Sequence, residues 1–334
     1  MFEGFETRNV ETSEIRIRLR IGGSGPPLLL LHGYPQSHLM WHRVAPALAD
    51  RFRVVCPDLR GYGDSGKPAP DPEHAVYSKR SSARDMVEVM TTLGHQRFGL
   101  AGHDRGGRVG HRLALDHPDR VERLAVLDIV PTRTIFRATN QAIATGYYHW
   151  FFLIQPHGLP ERLIGADPIF YLHWVLGRWG TGLDAFAPEA LAEYERCFKD
   201  PAMIHASCED YRAAATIDLA HDEADLERRI RCPVLALWGR RGLMERHFDV
   251  LATWRERSAG PVSGRALDCG HFLAEERPEE NRGSAARVLR RLAPSLSPPG
   301  RRGAGARTRS RAQDPGWWRG GATAWRAARA GAPP

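Results

Sequence analysis

Phe98-Gly-Leu-Ala-Gly102-His103-Asp104-Arg105-Gly106-Gly107-Arg108-Val109 is the stretch on which the reading of this chain turns. An apolar run of the kind that forms a strand buried on both faces reaches Gly102. A helix-competent segment follows at once and closes at Asp116-His117-Pro118. Between them, G-x-D-x-G makes a sharp turn whose flanking glycines leave room for Asp104 to stand above the end of the strand. A surface acid in a glycine-rich turn would match these residues alone, but would leave the other pieces of the pattern unexplained.

Upstream, Pro27-Leu-Leu-Leu-Leu-His32 and Arg53-Val-Val-Cys56 are short apolar runs ending in turn residues, which predicts two more buried parallel strands. Glu14-Ile-Arg-Ile-Arg-Leu-Arg-Ile21 alternates with period two, as a half-buried strand does. Ser81 to Leu93 has helical spacing, with Met86, Val87, Val89 and Met90 on its apolar face. Val121 to Leu127, Cys232 to Trp238 and Gly264 to Cys269 continue the strands, and Glu245 to Arg257 predicts a helix. Alternation of this kind implies an α/β fold with a mostly parallel central sheet flanked by helices. From Pro131 to about Arg231 it breaks into aromatic-rich, helix-like segments: Tyr147 to Leu153, Pro168 to Trp179 and Ala190 to Phe198. The expected organisation is a core of residues 1–130 and 232–293, with an inserted helical cap over 131–231.

The 334 residues are 42% hydrophobic and 26% charged, enough apolar material for a substantial core. The longest aliphatic run, Leu28 to Leu31, is far short of the roughly 20 apolar residues that span a bilayer. The N-terminus lacks the basic-then-apolar order of a secretory signal, so no membrane and a cytoplasmic location are expected. Cys56, Cys197, Cys208, Cys232 and Cys269 are scattered and odd in number, which suits neither a disulfide framework nor a zinc site. The formal charge is +8, but eight arginines and one aspartate after residue 294 supply +7 of it, leaving +1 for the rest. The basic character therefore belongs to an Arg/Gly/Pro/Ala-rich tail, 294–334, expected to be disordered because it has almost no aliphatic residues. A nucleic-acid partner is not expected from a charge confined to that tail.

Taken together the motifs resemble the α/β-hydrolase fold and, within it, the haloacetate (fluoroacetate) dehalogenases. The residues that carry the resemblance are His32-Gly-Tyr-Pro-Gln36, Asp58-Leu-Arg-Gly-Tyr-Gly-Asp-Ser65, Gly102 to Arg108, Leu127-Asp-Ile-Val-Pro131, His149-Trp150 and Gly270-His-Phe272, spread over about residues 5 to 293. A carboxylate nucleophile suits displacement at saturated carbon, giving an ester between Asp104 and the substrate. His271, in a turn after the last strand, fits the base that activates water against that ester; an imidazole with its usual pKa near 6.5 is largely neutral at pH 7. Orienting it requires a second acid. Asp128, at the end of the strand Leu124 to Leu127, matches the dehalogenase pattern for that acid. The loop Trp238 to Glu245, where many hydrolases of this fold keep theirs, has no aspartate, which supports the match. The N–H groups of Tyr34 and Arg105 are the candidate donors to the oxyanion.

The resemblance also implies what selects the substrate. Relatives that act on neutral haloalkanes or epoxides usually carry tryptophan after the nucleophilic aspartate; here Arg105 stands there, with Arg108 one helical turn on. A substrate carboxylate about 5 Å from Asp104 costs roughly 3 kcal/mol at an effective dielectric near 20. Two guanidinium groups offset that, and their forked donors fit a carboxylate. Both therefore point to a small anionic organic substrate. The match to the family's halide-holding trio falls on His149, Trp150 and Tyr211, with Trp179 a further pocket-lining candidate. The family needs no metal or organic cofactor and implies a homodimer. Epoxide hydrolysis on the same Asp104 is the alternative, with Tyr147 or Tyr148 beside Tyr211 as proton donors; a binding module that has lost catalysis is the other.

One motif misleads. Gly61-Tyr-Gly-Asp-Ser-Gly66-Lys67 satisfies two phosphate-binding patterns, but Pro68-Ala-Pro70 prevents a helix from starting there to meet a phosphate. It reads as a turn. Ala285 to Leu292 predicts a closing helix.

Overall fold

The computed structural model describes residues 1–280. Eight strands form one sheet: β1 (Phe5–Glu11), β2 (Arg16–Gly22), β3 (Pro27–Leu31), β4 (Arg53–Pro57), β5 (Phe98–His103), β6 (Val121–Leu127), β7 (Val234–Gly239) and β8 (Val262–Leu267). Their order is β1-β2-β4-β3-β5-β6-β7-β8. β1 and β2 pair antiparallel, as do β2 and β4; every other neighbouring pair is parallel. The sequence composition explains the layering. The leucines of β3 are almost wholly buried and every residue of β5 is buried, as central parallel strands covered on both faces must be. In β2 only the alternate residues Ile17, Leu19 and Ile21 enter the core.

Helix Asp104–Asp116 packs on the central strands β5 and β6, and helix Lys79–Thr92 packs against that helix. Between β6 and β7 the chain makes helices only, from Thr132–Ala138 to Ile217–Ala224. Two expectations change. β1 was not anticipated: its residues alternate poorly, and only Val10 is buried. The predicted helix Glu245 to Arg257 is two helices, Leu243–His247 and Val250–Glu256. Phe248 is extended, and the Asp249 side chain accepts the Ala252 N–H at 2.9 Å, capping the second helix afresh. The predicted helix at 285–292 and the tail lie outside the described residues.

The connections put the loops after β3, β5, β6 and β8 together at the carboxyl ends of the parallel strands. In an open α/β sheet, that is where ligands bind.

Candidate active site

Asp104 begins helix Asp104–Asp116 directly after β5, with φ of 45°, a conformation that a side chain with a Cβ rarely adopts. Strain of this kind collects at functional sites. Gly33 explains how the neighbouring loop comes close enough: a Cβ there would lie 2.5 Å from the Asp104 Cβ. With no side chain in the way, the Tyr34 N–H donates to Asp104 Oδ1 at 3.1 Å. The Arg105 N–H sits in the first turn of the helix, where backbone donors have no intrahelical acceptor.

Asp128 follows β6 and also has positive φ, 53°. Its Oδ1 accepts the Gly239 N–H at 2.8 Å, and its Oδ2 accepts from His271 Nδ1 at 2.6 Å. The bond at Nδ1 fixes the tautomer and leaves Nε2 as the basic nitrogen; that atom is buried without a protein partner. His271 N–H donates to Trp179 O at 2.9 Å, tying the histidine loop to the helical insertion.

Burial alone would raise the Asp104 pKa, but the charges of His271, Arg108 and Arg105 together hold it well below the usual carboxylate range. For His271 burial works in the opposite direction, and the Asp128 hydrogen bond with the charges of Asp128 and Asp104 raises it above its ordinary value. The free site thus holds an ionised acid beside a histidine biased toward its cation.

The two arginines differ. Arg105 gives Nε to Asp210 Oδ2 at 2.6 Å and Nη2 to the Asp210 carbonyl at 2.8 Å, which leaves only Nη1 unpartnered. It meets the site with one nitrogen, not with the open fork that the sequence suggested. Arg108 uses Nη1 on Val130 O and Thr132 Oγ1, both at 3.1 Å, while Nε and Nη2 are buried without partners. It is 2% exposed and no carboxylate lies within ion-pair distance among the described residues. Burial pulls its pKa below the ordinary arginine value, against the attraction of Asp104.

His149, Trp150 and Tyr211 are all buried and cluster: the Tyr211 ring centre lies 5.6 Å from that of His149 and 6.0 Å from that of Trp150. The Arg105 guanidinium is 4.1 Å from the Tyr211 ring centre, and that of Arg108 is 4.6 Å from Trp150, so the arginines and the aromatic group share one chamber. His149 Nδ1 and Tyr211 Oη are buried and unpartnered. Burial drives the His149 pKa well down, which keeps it neutral. Trp179 is 4.1 Å from His149 and 5.7 Å from His271, ring centre to ring centre. A cavity of about 300 Å³, lined by Asp128, His271, Trp179, Arg178, Arg241 and Arg246 among others, leads to the histidine.

Two residues escaped sequence reasoning. Tyr34 was assigned only its N–H, yet its ring is also buried in the site, 5.4 Å from that of Tyr211. Asp210 had no signal: it sits inside a helical run, Glu209 to Arg212, whose charged residues look like a solvated face but are all buried.

A nucleophile turn, an Asp–His pair and a mostly parallel sheet define an α/β-hydrolase. The family model for the alpha/beta hydrolase fold matches residues 26–278. A fluoroacetate dehalogenase from Burkholderia sp is 51% identical over 87% of this chain and 94% of its own length. A soluble epoxide hydrolase from Corynebacterium sp. (strain C12) is 36% identical over 79% of this chain and 90% of its own. The crystal structure of ALR0039 from Nostoc sp PCC 7120 has a TM-score of 0.86 at 61% identity, covering 86% of this chain and 99% of that one. The chain belongs to the α/β-hydrolase superfamily and, within it, to the dehalogenase family, the hydrolases of carbon–halide bonds. Among the described residues, no helix is long and apolar enough to cross a membrane.

Proposed function

We propose that the protein is a haloacetate dehalogenase that converts a short 2-haloacid to the 2-hydroxyacid and halide. The observation that carries this reading is Arg108, a buried cation without a carboxylate partner, next to the turn that bears Asp104. A charge in that position is costly unless an anion completes it, and its free Nε and Nη2 present the fork that a carboxylate accepts. A neutral epoxide would leave it uncompensated. The fluoroacetate dehalogenase likeness supports the same substrate class.

In this reading the substrate carboxylate lies on Arg108 Nε and Nη2 and on Arg105 Nη1. Asp104 Oδ2 attacks the halogen-bearing carbon from behind; the C–O bond forms as the carbon–halogen bond breaks, and halide leaves toward His149, Trp150 and Tyr211. Asp104 Oδ1, already touched by the Tyr34 N–H, is the oxygen that turns negative in the second step. There, His271 Nε2 takes a proton from water as the water oxygen adds to the ester carbonyl. The bond from the Asp104 carbonyl carbon to the substrate-bound oxygen then breaks, and His271 returns its proton to that oxygen. The 2-hydroxyacid departs while Asp104, carrying the water oxygen, loses its proton to solvent. The charges assist the sequence of events. Esterification removes the Asp104 charge, one of the influences that raise the His271 pKa, so the histidine moves toward its neutral form when a base is required.

The test is purified protein with fluoroacetate and chloroacetate, following halide. Asp104→Asn abolishes release, and His271→Gln accumulates an adduct on Asp104, detected as a peptide mass increase. Arg108→Leu raises KM for haloacids at least tenfold, the loss of a charge-assisted contact of about 1.5–3 kcal/mol. Diol formation from epoxides without halide release from haloacids would favour the epoxide hydrolase alternative.

A further inference from the structure

Among the described residues Asp104 has no ion pair, although its chain neighbour is an arginine, which pairs with Asp210 instead. The reason lies in a second helix. Asp210, on helix Pro201–Ala215, is 5% exposed and receives four donors: Arg105 Nε at 2.6 Å and Tyr62 Oη at 3.0 Å on Oδ2, Lys79 Nζ on Oδ1, and Arg105 Nη2 at 2.8 Å on its carbonyl. Lys79 is held in turn by Asp218, 3.4 Å away. Tyr62 and Lys79 belong to the segment between β4 and β5, whereas Asp210 and Asp218 belong to the helices between β6 and β7. The network therefore fastens Arg105 where the insertion meets the sheet.

We propose that Asp210 is a positioning residue for substrate recognition: it clamps two nitrogens of Arg105, diverting the guanidinium from Asp104 and aiming Nη1 at the substrate carboxylate. The proposal rests on the haloacid reading above. Two consequences follow from the geometry. An arginine free to rotate would pair with the nearest carboxylate, and a nucleophile so paired attacks poorly. An arginine already neutralised by Asp210 contributes direction, while Arg108 contributes the uncompensated charge. Recognition is then asymmetric, with a fork from Arg108 and a single donor from Arg105. Arg105 also covers the Tyr211 ring at 4.1 Å, so its pose bears on a halide-holding side chain.

The test compares wild type with Asp210→Asn, Asp210→Glu and Tyr62→Phe. The readouts are KM and kcat for chloroacetate by chloride release, the Kd for acetate by calorimetry, and thermal melting. For Asp210→Asn the expectation is a rise of at least tenfold in both KM and the acetate Kd in protein that still melts cooperatively. Asp210→Glu, which keeps the charge but displaces it, recovers only part of this. Tyr62→Phe, which leaves every charge in place, raises KM about threefold. A purely structural role would lower the active fraction, and hence apparent kcat, with KM and Kd unchanged. KM and Kd within twofold of wild type in folded Asp210→Asn overturn the proposal; if that variant does not fold, an unchanged KM in Tyr62→Phe does so. Should wild type release no halide from any 2-haloacid, the haloacid reading fails, and the ratio of acetate Kd values alone decides the role of Asp210.

Discussion

In the proposed reaction, the opposite pKa shifts of Asp104 and His271 separate its two halves. Asp104 stays ionised well into acid because neighbouring cations outweigh its burial. His271 is shifted upward from 6.5 and acts as a base only when neutral. Lowering the pH through that raised pKa protonates the histidine while leaving the nucleophile charged. At pH 5, rapid-mix experiments should therefore give a burst of about one halide per site followed by slow turnover, with ester on Asp104; at pH 8 the burst should vanish. A uniform loss of both steps at pH 5 would contradict the assignment. Asp128 supplies the orientation as well as part of the charge. Asp128→Asn should slow turnover about 10⁴-fold, the order found when a catalytic histidine loses its orienting acid in a serine protease triad. The sequence singled out these three positions because each is a residue type that the chain has at few suitable turns, and the structure brings Asp128 to His271 at 2.6 Å. Asp210 was unreadable: its importance lies in contacts made across the fold, which helical periodicity does not encode.

The turn after β5 works only because the loop after β3 touches it, a contact that pattern reading supports through glycine alone. Gly33→Ala would set a methyl group 2.5 Å from the Asp104 Cβ, so the loop must withdraw and take the Tyr34 N–H with it. Loss of one oxyanion donor costs about 10²–10³-fold in kcat. That loss, with only a few degrees' fall in melting temperature, is the expected outcome; an active Gly33→Ala would separate this loop from the chemistry. Buried parallel strands were the most legible elements, since the buried stretches of β3, β4, β5 and β6, such as Leu28 to Leu31, Val54 to Cys56 and Leu124 to Leu127, are apolar runs. The edge strand β1 was missed for the complementary reason: with one neighbour and little burial, it needs no pattern. The break within 245–257 shows the limit of periodicity, since residues on either side of Asp249 keep helical spacing. A local cap, worth about 1 kcal/mol, restarts the helix.

The first 294 residues carry a net charge of only +1, so attraction of an anionic substrate has to come from where charge is placed, not from its sum. The cavity that reaches His271 is ringed by Arg178, Arg241 and Arg246, all exposed. Arg241 is paired with Asp268 at 2.9 Å, whereas Arg178 and Arg246 have no ion pair among the described residues. Two uncompensated cations at a concave mouth concentrate field lines there, whereas Arg108 is buried apart from the lining of this cavity, over the Trp150 ring. Salt acts on these charges unequally. The Debye length shrinks from about 30 Å at 0.01 M to about 10 Å at 0.1 M and 3 Å at 1 M, which screens the exposed pair but hardly affects a buried guanidinium. Raising ionic strength from 0.01 to 0.5 M should therefore lower kcat/KM for chloroacetate severalfold and leave kcat nearly constant. The double variant Arg178→Glu, Arg246→Glu should start lower and reverse the salt dependence, because added ions then screen a repulsion. Identical salt profiles for wild type and double variant would mean that substrate reaches Asp104 by another route. A loss of kcat in the double variant would mean that these arginines act on the chemistry itself.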